Sequence, residues 1–304
     1  MKKSDMICLG TVKLGIPDYG FSSTDKTEGF EPLNFLKQVE ESGIYRFDTS
    51  PRYGESEKIL GQYITQSKVT PFISSKIDNL KPNDSNTPKI MLESVKASLT
   101  KLNLSRLDIC YLHQNDLEII SDLYVHEGLL LLKQQGLIQH AGASLYSHQE
   151  CEYALGSGIF DFIQVPINVF DISFYNAFIK DNKTSVRFVA RSLLLQGILA
   201  NRTGIREGIV QADQVLKYLE KLDELAKQYN ISTLEMALAF VFSLDKIDHY
   251  IVGTTNIKHL KDITKCLSHK LPDELIRDLT NLAVVSKDWA NPRNWKQTPS
   301  YGKT

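Results

Sequence analysis

Short apolar runs alternate along this chain with longer segments whose apolar residues recur every three or four positions. The short runs lie at residues 6–9, 44–47, 71–75, 107–112, 138–143, 162–165, 186–190 and 249–252, and they read as strands. The segments between them read as helices. After residue 56, the residues Ile59, Leu60, Tyr63 and Ile64 keep helical spacing. Thr87-Pro88 predicts an N-cap with proline in the first turn, and Leu92, Val95, Leu99 and Leu102 then form one face. Leu216, Leu219, Leu222 and Leu225 line a stripe within 213–229. Ser232 and Glu235 predict a capping box ahead of Leu234, Ala237, Leu238 and Val241, and Leu275, Leu279 and Leu282 line a last helix after Pro272.

Strand followed by helix, about eight times over 304 residues, predicts an α/β fold of the (β/α)8 TIM-barrel type, as one domain spanning 1–304. A doubly wound sheet is the rival arrangement. It would bring a glycine-rich first turn, but Gly10 and Gly15 stand too far apart, and Gly156-Ser157-Gly158 lies outside any strand-to-helix turn.

Composition narrows the partners. Apolar residues make up 42% of the chain, charged residues 23%, and the net charge is −1, which argues against a nucleic acid or an anionic membrane surface. No apolar run is long enough to span a bilayer, and the basic start carries no apolar stretch of the secretory type. The four cysteines, Cys8, Cys110, Cys151 and Cys266, are scattered, as expected of reduced packing residues in a cytoplasmic protein. The expected partner is a small molecule, and the expected assembly is a monomer or a small homo-oligomer.

In a barrel, chemistry collects at the C-terminal ends of the strands. The second strand runs into Asp48, with Tyr53 in the loop that follows. The third runs into Lys76 and the fourth into His113. A tyrosine, with an ordinary pKa of about 10, is a poor proton donor near neutrality. A lysine ammonium beside it favours the phenolate, an aspartate holds the lysine, and a histidine can direct a substrate oxygen. Such a set protonates a carbonyl oxygen as it becomes an alkoxide. It contains neither a nucleophile nor a metal cluster, so the electron pair must come from a hydride cofactor.

With these residues in view, the chain resembles the aldo-keto reductase family over nearly its whole length. The resemblance is carried by Leu9-Gly10-Thr11 with Tyr19-Gly20, residues 47–57, Ser75-Lys76, Tyr111-Leu112-His113, Gly142-Ala143-Ser144, residues 164–168, Arg191-Ser192 with Gln196-Gly197, and Val252-Gly253-Thr254. The run 191–197 with Tyr19-Gly20 is similar to a bacterial branch found with polysaccharide and sugar-nucleotide genes, which implies a sugar-derived carbonyl. The resemblance implies Asp48, Tyr53, Lys76 and His113 as the catalytic tetrad, with Tyr53 as general acid in reduction. It implies NADPH as cofactor, with NADH open. Ser144 and Gln164 would hold the nicotinamide carboxamide, and Arg191 would stack on its ring. Gly10, Thr11, Val12, Ser192, Leu193, Gln196 and Gly197 would line the middle of the cofactor site, with Val252, Gly253, Thr254, Thr255, Asn256 and His259 near the phosphates and adenosine.

Several positions depart from the family pattern. Leu145 replaces an asparagine, Thr255 a basic residue for the 2′-phosphate, His259 a glutamine and Ile263 an asparagine; Lys258 and Lys261 are alternative cations. The alternative function is a cofactor-sensing subunit without turnover. The substrate pocket is expected from residues 15–27, 114–120, the region after Asn168 and the C-terminal tail, with Tyr19, Phe21, Phe170, Phe174, Trp289 and Trp295 as candidate lining.

Overall fold

The computed structural model describes residues 3–20, 29–114, 116–203, 205–209, 211–283, 288–290 and 295. Its strands are β1 (Ile7–Gly10), β2 (Arg46–Asp48), β3 (Phe72–Ile77), β4 (Leu107–Leu112), β5 (Ile138–Ser144), β6 (Phe162–Pro166), β7 (Arg187–Arg191) and β8 (Ile247–Val252). Each pairs in parallel with the next, and β8 pairs with β1, closing the predicted barrel. The helices are α1 (Val12–Gly15), α2 (Pro32–Glu41), α3 (Ser56–Gln66), α4 (Thr87–Leu102), α5 (Leu117–Ile120), α6 (Leu123–Gln134), α7 (His148–Ser157), α8 (Ile205–Gly208), α9 (Ala212–Gln228), α10 (Thr233–Phe242), α11 (Ile257–Cys266) and α12 (Asp273–Ala283). None of the described helices is long and apolar enough to cross a membrane.

Successive side chains on a strand point to opposite faces, so each strand serves two cores. Ile73, Ile77, Cys110, Leu112, Ile163, Val165, Phe188 and Ala190 belong to the large core between strands and helices. Ile109, Tyr111, Phe162 and Val189, with Phe72 and Ile251, form a second cluster inside the barrel. At the N-terminal end the interior is closed by charge on aromatic faces. The guanidinium carbon of Arg46 lies 4.3 Å from the Phe72 centroid, and that of Arg187 lies 3.9 Å from the Phe162 centroid. His249 is fully buried between these two rings and bonds Asp248 through Nδ1 at 2.8 Å. With that end plugged, the C-terminal end is the one open to a ligand.

Local expectations shift where polar residues sit inside the barrel. Asp48 and Lys76 are strand residues rather than exits, because β2 ends at Asp48 and β3 continues to Ile77. Lys76 after Ser74-Ser75 imitates a strand end, yet it is buried within β3, and Ser75 Oγ beside it donates to the buried Glu57 carboxylate at 2.7 Å. In α9 the buried face is Val215, Leu219, Leu222 and Ala226. The leucine stripe at 216, 219, 222 and 225 has a period of three, which drifts off a helix of 3.6 residues per turn. Thr87 is the first helical residue and Asn86 the N-cap of α4. Ser232 accepts from Glu235 N, but the Glu235 carboxylate turns instead to His269 Nδ1, 2.7 Å away. A full capping box forms at Ser147 and Glu150, which begin α7. The four cysteines are buried and unbridged, as expected.

Candidate functional site

Strand register assembles the centre of the site. Asp48 pairs with Ser74, Lys76 with Tyr111, and Ser144 with Gln164. All stand on inward positions near the C-terminal end. Lys76 Nζ donates to Asp48 Oδ1 at 2.6 Å and to Thr49 O at 2.8 Å. Asp48 Oδ2 accepts from Ser74 Oγ at 3.2 Å and from Gln164 Nε2 at 3.1 Å. A carboxylate only accepts, so the Gln164 amide must turn its nitrogen to Asp48. Its oxygen then faces Ser144 Oγ at 3.3 Å. One buried acid thereby orders both the lysine and the glutamine. The lysine keeps one N–H beyond these bonds, and its nitrogen lies 4.9 Å from the Tyr53 ring centroid.

Backbone contact holds the tyrosine loop. At Gly15 a β-carbon would lie 1.8 Å from Tyr53 O, and at Gly54, with φ +53, it would lie 2.6 Å from Gly15 O. Neither position admits a side chain, so α1 and the loop after β2 pack main chain to main chain. A knot of buried hydroxyls reinforces this. Ser56 Oγ is 2.7 Å from Thr11 Oγ1 and 3.0 Å from Thr49 Oγ1, while Thr11 Oγ1 donates to Asp48 O at 3.0 Å. Thr11, expected at the cofactor, therefore uses its hydroxyl to join the ends of β1 and β2.

His113 follows β4 directly, as expected, and its ring meets the Tyr53 ring edge-on with centroids 6.2 Å apart. Its Nδ1 lies 3.0 Å from Asp78 Oδ2, a close contact set off the line of a well-aligned hydrogen bond. Burial holds the His113 imidazole below its ordinary value, against the opposing pull of Asp78. Asp78 Oδ2 also meets Arg52 Nε at 2.8 Å, and Arg52 Nη2 donates to Asn79 Oδ1 at 2.8 Å. Burial raises the Asp78 carboxyl, but His113, the Asn79 N–H and Arg52 together outweigh it and hold it below the usual carboxylate range. Sequence reasoning passed over Arg52 and Asp78. The missed signal is alternation, since Ser74, Lys76 and Asp78 share one face, as do Ile109, Tyr111 and His113.

These groups line one cleft of about 1450 Å³. Of the residues expected at a cofactor, Gly10, Thr11, Val12, Ser144, Gln164, Arg191, Ser192, Leu193, Gln196, Gly197, Val252, Gly253, Thr254 and His259 line it, and Thr255 and Asn256 do not. Asn256 is instead the N-cap of α11, its Oδ1 accepting from Lys258 N at 2.9 Å. Arg191 donates to Leu145 O at 2.9 Å, and its guanidinium carbon lies 3.8 Å from the Tyr146 centroid. Tyr146 thus takes one stacking face of Arg191, a contact the sequence did not reveal. Leu145 turns its side chain into the core.

Tyr19 lines the cleft, as expected. Phe170, Phe174, Trp289 and Trp295 do not; they are buried packing residues, with Phe170 and Trp289 centroids 5.3 Å apart and Trp295 Nε1 donating to Trp289 O at 2.7 Å. Phe21 and the tail segments 291–294 and 296–304 lie outside the described residues.

A closed barrel with convergent ionisable groups at its C-terminal mouth defines a (β/α)8-barrel enzyme. The model of the Aldo/keto reductase family matches residues 6–283. The chain belongs to that family and is an oxidoreductase. It is similar to the "uncharacterized oxidoreductase YqkF" of Bacillus subtilis, 26% identical with 89% of this chain and 94% of that protein covered. It is also similar to norsolorinic acid reductase A of Aspergillus parasiticus, 26% identical with 90% and 76% covered. In fold it matches the holo form of aldo-keto reductase AKR11C1 from Bacillus halodurans, with a TM-score of 0.74, 21% identity, and 91% and 92% of the two chains covered.

Proposed function

We propose that the chain reduces an aldehyde or ketone to the alcohol using NADPH or NADH, with Tyr53 as the proton donor. The observation that carries this reading is the convergence of Tyr53, Lys76, Asp48 and His113 on one cleft. A carbonyl of sugar type is the substrate class that the bacterial resemblance favours.

The cleft fits a nicotinamide dinucleotide. It runs without interruption from Tyr53 to Cys266. Ser192, Leu195, Gln196 and Gly197 have left-handed backbone, with φ of 60, 47, 53 and 104°. Leu195 N and Gly197 N donate within this turn, to Ser192 O and Leu194 O at 3.0 and 2.8 Å, which holds Ser192, Gln196 and Gly197 at the cleft wall where a phosphate would pass. At Gly253 a β-carbon would lie 4.0 Å from Gly10 O, with no other described residue beyond its chain neighbours nearer, so a ligand can approach the main chain. Ser144 and Gln164 offer a hydroxyl and an amide of the kind a carboxamide needs.

When bound, the nicotinamide supplies the hydride. Tyr53 gives its phenolic proton to the carbonyl oxygen as negative charge builds there. The Lys76 ammonium stabilises the phenolate left behind, and its burial makes that attraction stronger than in water. Asp48 keeps the ammonium in place, and His113 directs a substrate oxygen toward Tyr53. Toward the adenosine end, Arg202 is engaged by Asp223 at 2.5 and 2.6 Å, and Lys265 by Asp262 at 2.8 Å. Both cations already have carboxylate partners, so NADH is tested beside NADPH.

Oxidation of each cofactor is followed at 340 nm with an aromatic aldehyde and then with a panel of sugar-derived carbonyls. Turnover with any of them is the expected result. Tight cofactor binding with no turnover across the panel would overturn the reading and favour a cofactor-sensing role.

A further inference from the structure

Inside the barrel, Tyr111 Oη and His249 Nε2 have no hydrogen-bond partner among the described residues, and both side chains are fully buried. Neither residue lines the cleft. Strand register shows how they stand to each other. Inward residues of a barrel fall in layers of four taken from alternate strands. Asp48, Tyr111, Gln164 and Ile251 form the layer just beneath Lys76 and Arg191. Arg46, Ile109, Phe162 and His249 form the layer two below it, toward the plugged end. Between them lie Cys8, Ser74, Gly142 and Val189, a layer in which only Val189 is bulky. At Gly142 a β-carbon would lie 2.5 Å from Tyr111 Cδ1, so the tyrosine ring leans into the room that this layer leaves.

We infer that a buried water stands in this middle layer, accepting a hydrogen bond from Tyr111 Oη and donating one to His249 Nε2. The direction of every bond agrees. His249 Nδ1 and Asp248 Oδ2 are hydrogen-bonded at 2.8 Å, and a carboxylate only accepts, so Nδ1 carries the ring proton. Burial holds the imidazole below its ordinary value, so the ring is neutral near neutrality and Nε2 keeps a lone pair. The flanking rings of Phe72 and Phe162, with centroids 6.2 and 6.3 Å away, bring no N–H or O–H to it. Burial drives the Tyr111 phenol well above its ordinary value, so it keeps its proton and remains a donor. Asp48, in the phenol's own layer, and Asp248, at the plugged end, both add to that rise, which sets the oxygen between the two ends of the interior.

A donor above and a lone pair below both call for a partner, and one water serves each. Left dry, each atom would give up the hydrogen bond it makes in the unfolded chain with nothing in return. A buried water makes about three hydrogen bonds. The third falls to Ser74 Oγ in the same layer, whose own proton goes to Asp48 Oδ2 or Phe47 O at 3.2 and 3.3 Å, leaving it able to accept. Polar contact then runs from Asp248 through His249 and the water to Tyr111, so the floor beneath Asp48 and Gln164 is hydrated rather than dry.

Two measurements on the full chain test this, and neither depends on turnover. The first is a crystal structure at a resolution that shows ordered water. A water within about 2.7–3.2 Å of both Tyr111 Oη and His249 Nε2 is expected. An empty space between them, or direct contact of the two side chains, would overturn the inference. The second is a urea titration of Tyr111→Phe, His249→Leu and the double variant. A phenol bonded to water is missed when removed, so Tyr111→Phe should lower the midpoint by about 0.3 M. A dry, orphaned phenol would instead give a raised midpoint, and that result would refute the site. In the His249→Leu background the same change should lower the midpoint less, because the water has already lost its acceptor. Equal shifts in both backgrounds would show that no water joins the two residues. If His249→Leu does not fold, the crystal structure and Tyr111→Phe decide.

Discussion

Lys76 donates to Asp48 across 2.6 Å, with side-chain exposures of only 2% and 5%. An ion pair so far from water is held by its own geometry, and removing one partner strands the other. Lys76→Met should therefore destabilise the fold by about 3–5 kcal/mol. It should also lower kcat by about 10²-fold or more, because the stabilising charge beside Tyr53 is gone. Asp48→Asn combined with Lys76→Met should recover stability in a urea titration but not activity. Recovery of both would show that the pair serves folding alone.

Tyr53→Phe removes one oxygen and leaves the ring. A positioned general acid contributes about 10²–10⁴-fold, and kcat should fall by that order. Cofactor affinity, read from nucleotide fluorescence, should be nearly unchanged. A variant that kept most of its kcat would defeat the mechanism.

Gly15→Ala would place a methyl group 1.8 Å from Tyr53 O. The clash is with main chain, so α1 or the tyrosine loop must move. Overpacking of this kind costs about 1–3 kcal/mol. A displacement near 1 Å at the proton donor lowers kcat/KM about 10²-fold. Thermal melting and steady-state kinetics on the same preparation test both. Unchanged kinetics in a folded variant would mean that the contact does not set the tyrosine's position.

Stability should decline in mild acid. Burial holds the His249 imidazole below its ordinary 6.5, more strongly than Asp248 raises it. The unfolded chain takes up a proton near 6.5 that the folded chain refuses, so the stabilisation is complete above that pH. It is lost as the pH falls below 6.5 toward the lower folded-state value. Urea midpoints between pH 8 and pH 5 should drop, and His249→Leu should reduce the slope. His113 and His140 are shifted the same way, so part of the slope should remain. Identical slopes in the two proteins would assign the effect elsewhere.

Much of this was legible in the chain itself. Strand–helix alternation is a local pattern, and a repeat of eight leaves few ways to bury both faces of parallel strands. That is why the barrel, and the placing of Asp48, Tyr53, Lys76 and His113 around its mouth, could be read from the eight apolar runs and the ionisable residues that follow the second, third and fourth. Lys76 misled, reading as an exit although β3 continues to Ile77, because its partner Asp48 is distant in sequence. Trp289 and Trp295 misled in the opposite sense, since a lone aromatic residue looks the same whether it lines a pocket or packs.

The sequence by itself determined the barrel and the residues with chemistry to offer, because these follow from periodicity and from side-chain type, and its motifs carried the family resemblance. Only the tertiary structure decided which neighbours share a bond. Asp78 meets Arg52 and His113, Gln164 meets Asp48, and Arg191 lies on Tyr146, through pairings set by strand register and barrel closure rather than by spacing along the chain. The orientation of a histidine or a guanidinium depends on such long-range contacts, and local sequence carries no record of them.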